Sequence, residues 1–452
     1  MSKNTRKKPN RARRSSPKIR SETGGRNLTS QAGLIPVIKF LDGLGFSGLF
    51  HQVVRHERQP NARYLLGEAV FLVLIGLAGG ARSLSQCLVL WSDGVLQRVA
   101  GWVRIPDEST VGRLFKEVSE RHISELENLV HEARKRVWGR ALRAGTSRIA
   151  IQCQRWVDVD SRVKTVYGRQ EGSAKGYNPH KRGAPSYHPL LAFCTDTKEI
   201  LQAWLRTGSA YTSNGIVAFM KQLLAQLPTS HRMVFRADSG FFVGALMDFL
   251  DAGGHGYLIK VKLKGLAQLL ARQHGTPIRH QPGWEQCKFS YRANDWKPSR
   301  LFVAVRCRKA PAADHAQGEL LPLAQYDYFC YVTTEPLSPW QAHRTYGQRA
   351  TSETWIEEAK NQTGLAHLKT NRFLANAALF QCAVLAYNTL RWMALLSANA
   401  TLKRWEPRTV RTFLIRVAGK LLGGANQLRI KLPRQHLHPK VWEDWLALSQ
   451  PL

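Results

Sequence analysis

Apolar residues recur at three- and four-residue spacing through "LIPVIKFLDGLGFSGLF" and "STVGRLFKEVSERHISELENLVHEARKRVW", so residues 29–145 read as a series of helices. Ser109 or Thr110, just after Pro106, is the expected N-cap of one of them. The pattern changes near residue 146. "SRIAIQCQRWVDVDS" reads as a strand, "YHPLLAFCTDTKEILQAWLRTG" as a hairpin turning at "TDTKE", and "NGIVAFMKQLLAQLP" as a helix. "RMVFRADSGF" reads as a strand running into a turn, and "GALMDFLDAGGHGYLIKVKL" as helix then strand. Interleaved strands and helices predict an α/β unit over 146–265 that resumes at 329–398. Between its halves, in 266–328, "CKFSYRAND", "RLFVAVRCRK" and "QYDYFCYVTT" alternate as strands and predict a β-rich insertion. The longest unbroken apolar run, Ala69 to Ala81, is too short to span a bilayer.

Charge changes this picture most. The 452 residues hold 66 Lys and Arg against 32 Asp and Glu, a net charge of +34. Residues 1–28 read as a disordered basic arm, but the arm supplies only +9, and +25 remains on the body. Such an excess points to a polyanionic partner, nucleic acid first. The 44% hydrophobic content and 13 tryptophans are those of a packed enzyme rather than of a ribosomal or chromatin protein. Helices in a basic setting over 29–145 suit a helix-turn-helix unit, and an ordinary helical bundle fits them equally. The C-terminal region, 399–452, is again basic. The 7 cysteines form no CxxC pair, which argues against a disulfide framework and a zinc site and for a reducing compartment. The charged N-terminus lacks an apolar signal core, so a soluble, intracellular protein is expected.

Acids are scarce, so those at strand ends are informative. Asp158 and Asp160 close "WVDVDS", and Asp238 closes "MVFRADSG". A carboxylate where a strand ends and the chain turns sits on a rigid edge, the place where α/β enzymes put ligands. Strand alternation puts Asp158 and Asp160 on one face, and either fits that role; simple turn capping is the competing reading. "YGQRATSETWIEEAK", Tyr346 to Lys360, reads as one helix. At about 100° per residue, Tyr346, Arg349, Glu353 and Lys360 share an arc of roughly 60°. Glu357 lies near that face, whereas Glu358 points away and reads as solvated, which leaves Glu353 or Glu357. Two aspartates and a glutamate suit Mg²⁺ or Mn²⁺, which prefer carboxylate oxygens. Two such ions activate a water or a 3′-hydroxyl for in-line attack on a phosphodiester. The loop "GRQEGSAKGYNPHKRG", with Lys175, Lys181 and Arg182, suits a DNA clamp, or is merely solvated. His180, His188 and His231 lack ligand spacing, and His188 reads as structural.

Tyr346-x2-Arg349-x3-Glu353-x6-Lys360 resembles the YREK signature of bacterial insertion-sequence DDE transposases. "DVDSRVKTVYGRQEGSAKGYNPHKRGAPSYHPLLAF" and "FRADSGF" resemble the insertion sequence 1380 family in particular. The resemblance implies an RNase H-like catalytic core in 146–265 and 329–398, interrupted by the β-rich insertion and preceded by a helical DNA-binding region. By its pattern the catalytic, metal-binding acids are Asp160, Asp238 and Glu353, with Arg162 standing where the family has Thr. It implies further that Tyr346, Arg349 and Lys360 contact phosphates, and that Trp284 or Trp296 stacks on a flipped base. The expected activity is cut-and-paste movement of an insertion sequence by Mg²⁺- (or Mn²⁺-) dependent cleavage and strand transfer. The expected partners are double-stranded transposon ends and target DNA, bound by a homodimer at the bacterial nucleoid with no membrane. Two alternatives are an RNase H-like nuclease or resolvase that cuts without joining, and a non-catalytic transposase-derived DNA-binding protein. The presence of all three acids favours a catalytic protein.

Overall fold

The computed structural model describes residues 20–58, 61–145, 154–176, 178, 181–229, 231–293, 296–309, 326–362, 370–424 and 427–449. Residues 1–19, most of the expected disordered arm, and His180 lie outside it. So do the side chains of Thr351, Ser352, Glu353, Ile356, Lys360 and Asn361. A short strand β1 (Leu28–Thr29) precedes seven helices: α1 (Leu34–Gly43), α2 (Phe46–Val53), α3 (Leu66–Ala78), α4 (Leu84–Trp91), α5 (Gly94–Ala100), α6 (Glu108–Lys116) and α7 (Glu120–Arg143). Their apolar faces belong to one hydrophobic core that runs from Ala32 to Trp445. The N-cap of α6 is Asp107, not Ser109 or Thr110. Its carboxylate accepts from the Thr110 amide at 2.8 Å and the Ser109 hydroxyl at 2.7 Å, so the helix starts a residue or two earlier than the hydroxyls suggested.

The next strands are β2 (Gln154–Ser161), β3 (Lys164–Thr165), β4 (Ala174–Lys175), β5 (Pro185–Tyr187), β6 (Leu190–Cys194) and β7 (Ile200–Trp204). Then come α8 (Ile216–Ala225), β8 (Arg232–Ala237), α9 (Gly244–Ala252), β9 (Gly256–Lys260) and α10 (Leu266–Ala271). The strands β10 (Thr276–Pro277), β11 (Trp284–Tyr291), β12 (Arg300–Arg308) and β13 (Tyr326–Thr333) follow. The result is a mixed helix-and-sheet fold around one large sheet of order β10-β11-β12-β13-β9-β8-β2-β6-β7. β2, β8 and β9 run parallel, while β6 and β7 form the antiparallel hairpin expected of their sequence. The strands of 266–328 do not build a separate sheet. β13 pairs antiparallel with β9 through Val332 and Ile259, so they lengthen the central one. A second small sheet, β3-β5-β4, carries the basic loop.

The chain closes with α11 (Pro339–Gly347), α12 (Arg349–Gln362), α13 (Phe373–Leu396), α14 (Ala400–Arg404), α15 (Pro407–Val410), a π-helical turn at Arg411–Ile415, the strands β14 (Gly419–Gly423) and β15 (Leu428–Lys431), and α16 (Pro439–Ala447). β14 pairs with β1, tying the two ends of the described chain together. α13 is long and apolar enough to cross a membrane, with a mean hydropathy of 1.3, yet 89% of that window is buried in the protein. Reading only unbroken apolar runs passes over this helix, because Asn376, Gln381, Asn388 and Arg391 interrupt it. Those polar residues have work inside. β7 is an edge strand, and α13 satisfies its free backbone: Asn388 bonds both the N–H and C=O of Ile200 at 2.8 Å, and Gln381 donates to Ala203 O at 2.8 Å. Glu199, in the turn before β7, accepts from Trp138 of α7 at 2.8 Å and Trp392 of α13 at 2.6 Å. Helical layer, long helix and sheet are thus joined by directed bonds as well as by apolar contact.

Glu127 of α7 faces α8, where Gln222 donates to its carboxylate at 2.6 Å. Burial pushes the Glu127 pKa up to about 7, against the pull of Gln222 and Trp204. Between its ordinary value near 4.5 and about 7, the folded state holds a proton that the unfolded state has lost, so stability falls as pH rises through this window. Glu127→Gln keeps the Gln222 contact without the charge. Its thermal midpoint is expected to match wild type in acid and to exceed it above about pH 7.

Candidate active site

The site begins with a register. β2 and β8 lie side by side in parallel with Val159 opposite Ala237, so Asp160 and Asp238 emerge from the same end of neighbouring strands. Asp238 turns the chain: its Oδ1 accepts from the Gly240 amide at 2.8 Å and caps the short 3₁₀ turn Ser239–Phe241. The turn needs a glycine, since a Cβ at Gly240 would lie 2.7 Å from Thr212 Cγ2. Arg349, the first residue of α12, donates from Nη2 to Asp160 Oδ1 at 2.8 Å and stands 4.0 Å from Asp238 Oδ2. Arg162 adds a bond from Nε to the other Asp160 oxygen at 3.2 Å. Its amide bonds Pro189 O at 3.2 Å, so the turn after β2 is intact with Arg in place of Thr. Behind it, the Ser161 hydroxyl meets His188 Nδ1 at 2.9 Å and accepts from Arg206 at 2.7 Å, which fits the structural reading of His188.

Burial raises the Asp238 pKa, and the like charge of Asp160 adds to it, against the pull of Arg349, the Gly240 amide and Lys260. Asp160 and Arg349 side chains are each 8% exposed, whereas Asp238 is 40% exposed, so the pair is enclosed on one flank and open on the other. Two adjacent hard-oxygen donors on rigid strand ends, their repulsion now balanced by a guanidinium, suit a divalent cation. Among the described residues no group of three potential ligands gathers. Glu353 begins the next turn of α12 after Arg349, and its side chain lies outside the described residues.

Asp158 is not available to such a site. It sits opposite Arg236 and receives its Nε at 2.6 Å and Nη2 at 2.8 Å, with both side chains 1% exposed. The same guanidinium reaches Thr345 O at the end of α11. Strand alternation had left Asp158 and Asp160 equivalent; the neighbouring strand separates them, because Arg236 stands two residues before Asp238 as Asp158 stands two before Asp160.

The chain matches the family described as "Transposase DDE domain group 1" across residues 11–451. It belongs to that family. Its function is accordingly DNA transposition. No curated protein matches the chain. Among solved structures it is similar to the piggyBac transposase synaptic complex with hairpin DNA, at 12% identity and a TM-score of 0.41, over 89% of this chain and 88% of that one. The Mos1 transposase paired-end complex with left transposon end matches at 13% identity and a TM-score of 0.18, over 45% of this chain and 60% of that one. The Mos1 mariner paired end complex with Mn matches at 14% identity and a TM-score of 0.17, over 48% and 65%.

Other expected site residues of this DDE transposase are distributed as follows. Tyr346 and Arg349 are not on one helix: α11 ends at Gly347 and α12 starts at Arg349. Tyr346 is half-buried against the Tyr331 ring, 4.7 Å away. Arg349 is directed at carboxylates rather than outward. Lys360 falls outside the described side chains. Glu357 is exposed. Glu358, expected to be solvated, is instead buried and ion-paired with Arg391 of α13, because it shares the inner face of α12 with Trp355 and Ala359. Lys175 on β4 and Lys181 and Arg182 in the turn before β5 are exposed, with Lys181 Nζ 5.0 Å from the Tyr167 ring. Trp296 cannot stack on a base: it is buried against Phe242 and Phe302 with Arg300 over its ring. Trp284 is half-buried among Phe329, Trp340 and His343. Arg236 and Lys260 were missed. The parallel between "DVD" and "RAD" was the signal for Arg236, whereas Lys260 had none.

Breaking one side of a buried ion pair leaves the other charge uncompensated, at a cost of about 3–5 kcal/mol. Asp158→Ala is therefore expected to lower the denaturation midpoint sharply. Asp160→Asn, beside an arginine that retains other contacts, is expected to leave a folded protein. Chemical denaturation of the two variants distinguishes them.

Proposed function

We propose that this transposase is a bacterial insertion-sequence enzyme of the YREK type, similar to the insertion sequence 1380 family, moving its element by cut-and-paste. The observation that carries the reading is the Asp160–Asp238 pair at the ends of adjacent parallel strands, bridged by Arg349. The strand order β7-β6-β2-β8-β9, with an antiparallel hairpin followed by three strands parallel to one another, supports an RNase H-like core. In this reading α1–α7 include the helical DNA-binding region. The net charge of +34 supports a location at the nucleoid.

Asp160, Asp238 and Glu353 would hold Mg²⁺ or Mn²⁺, which would supply activation of the attacking hydroxyl and stabilisation of the leaving oxygen. Arg349 lies between the two aspartates and offsets part of their mutual repulsion. By the signature, the same guanidinium would also offer its remaining donors to a backbone phosphate. Lys360, Tyr346, Lys175, Lys181 and Arg182 contact the transposon end. A homodimer holds two ends in the synaptic complex.

The test is cleavage and strand transfer with Mg²⁺ on duplexes carrying the inverted repeats that flank the gene. Asp160→Asn, Asp238→Asn and Glu353→Gln are each expected to lose more activity than the roughly 100-fold that an outer-shell change costs, while still binding DNA. Wild-type cleavage by both Asp238→Ala and Glu353→Ala would remove the metal-site assignment. A pre-cleaved end that is never joined to target would indicate a nuclease. Chelation is expected to abolish both reactions and restore them on adding Mg²⁺.

A further inference from the structure

A cavity of about 550 Å³ opens where the N-terminal helices meet the C-terminal region, away from the carboxylate pair. Four arginines line it: Arg82, Arg408, Arg411 and Arg416. Among the described residues none of the four forms an ion pair, although like charges crowded together are ordinarily balanced by acids. Arg411 is buried and held from below: its Nε donates to Ala78 O at 2.8 Å and its Nη2 to Leu77 O at 3.1 Å, carbonyls at the C-terminal end of α3. It opens the π-helical turn Arg411–Ile415, a backbone irregularity common at functional positions. Gly80, with φ +96°, makes room for the cluster: a Cβ there would lie 2.6 Å from Arg416 Nη2 and 2.9 Å from Arg411 Cδ. Arg82, Arg408 and Arg416 are exposed around the rim. Burial, with the neighbouring guanidiniums of Arg416, Arg82 and Arg408, pulls the Arg411 pKa down to about 9, a mark of positive charge without its counter-ion.

We propose that this cavity is a second DNA contact, which takes backbone phosphates of a DNA strand and is separate from the carboxylate site. The proposal rests on the reading of the protein as a transposase. Guanidiniums offer the paired donors that phosphate oxygens accept. Among the described residues no aromatic side chain lines the cavity to stack on a base, which favours a phosphodiester backbone over a free nucleotide. The wall is also tied to the catalytic helix. Gln362, the last residue of α12, donates to Glu406 at 2.9 Å and accepts from the Arg408 amide at 2.8 Å. A strand seated on the arginines therefore braces the far end of the helix that begins with Arg349.

Two measurements on the full chain test this. Arg82→Gln together with Arg408→Gln removes two rim charges that carry no ion pair in the described structure. Against a labelled generic duplex, the slope of log affinity on log salt is expected to fall by about 2, one unit per lost phosphate contact, with the thermal midpoint unchanged. In the wild type, bound duplex is expected to protect Arg82, Arg408 and Arg416 from phenylglyoxal, read by peptide mass. Equal modification with and without bound duplex, or an unchanged salt slope, overturns the proposal. Protection by ATP or inorganic phosphate at concentrations where the duplex gives none also overturns it, and makes the cavity a small-anion site. Wild-type protein that is protected yet neither cleaves nor joins DNA would sink the transposition reading and leave the cavity standing.

Discussion

The parallel pairing of β2 with β8 is the constraint on which the rest of the site depends. With Val159 opposite Ala237, two carboxylates about 80 residues apart in sequence leave the sheet side by side. A slip of one residue would turn Asp160 to the other face and bring Val159 to the site. The buried Asp158–Arg236 pair opposes such a slip, because its two-point contact forms only in this register. That pair also reaches α11 through Thr345 O. The corner between α11 and α12, and with it Arg349, is thereby referenced to the same two strands.

Arg349 shows how the fold tolerates two neighbouring acids. Partial burial raises the cost of ionising Asp238, and the nearby Asp160 raises it further. One guanidinium between them offsets part of both effects, and the Asp238 pKa stays raised. Positive charge recurs at a distance in the arginine-lined cavity, where no described acid offsets it. The two sites sit at opposite ends of one helix, α12, with Arg349 at its start and Gln362 at its end.

Much of this was legible in the chain. The hairpin β6–β7, the strand-and-turn of "RADSGF" and the helices of 29–145 follow from periodicity and turn chemistry, which are local. Membership of a DDE transposase family was legible too, from short motifs in their order along the chain. What failed was non-local. Glu358 looked solvated on a helical wheel, since nothing in its own helix reveals that Arg391 of α13 will meet it. Asp107 displaced two hydroxyls as a cap because its carboxylate reaches the same amide. Trp296 looked available until Phe242, Phe302 and Arg300 closed around it.

The sequence by itself determined where the acids would stand relative to their own strands and helix, and that a basic, tryptophan-rich body would handle a polyanion. Those properties depend on neighbours within a few residues and on summed charge. Tertiary structure alone decided which acids meet, which are consumed by a partner, and where arginines gather without one. Asp158 and Asp160 are chemically identical and two residues apart, yet one is locked under Arg236 and the other faces Asp238. The difference comes from strand register and packing across the sheet, which bring together residues that no local pattern connects.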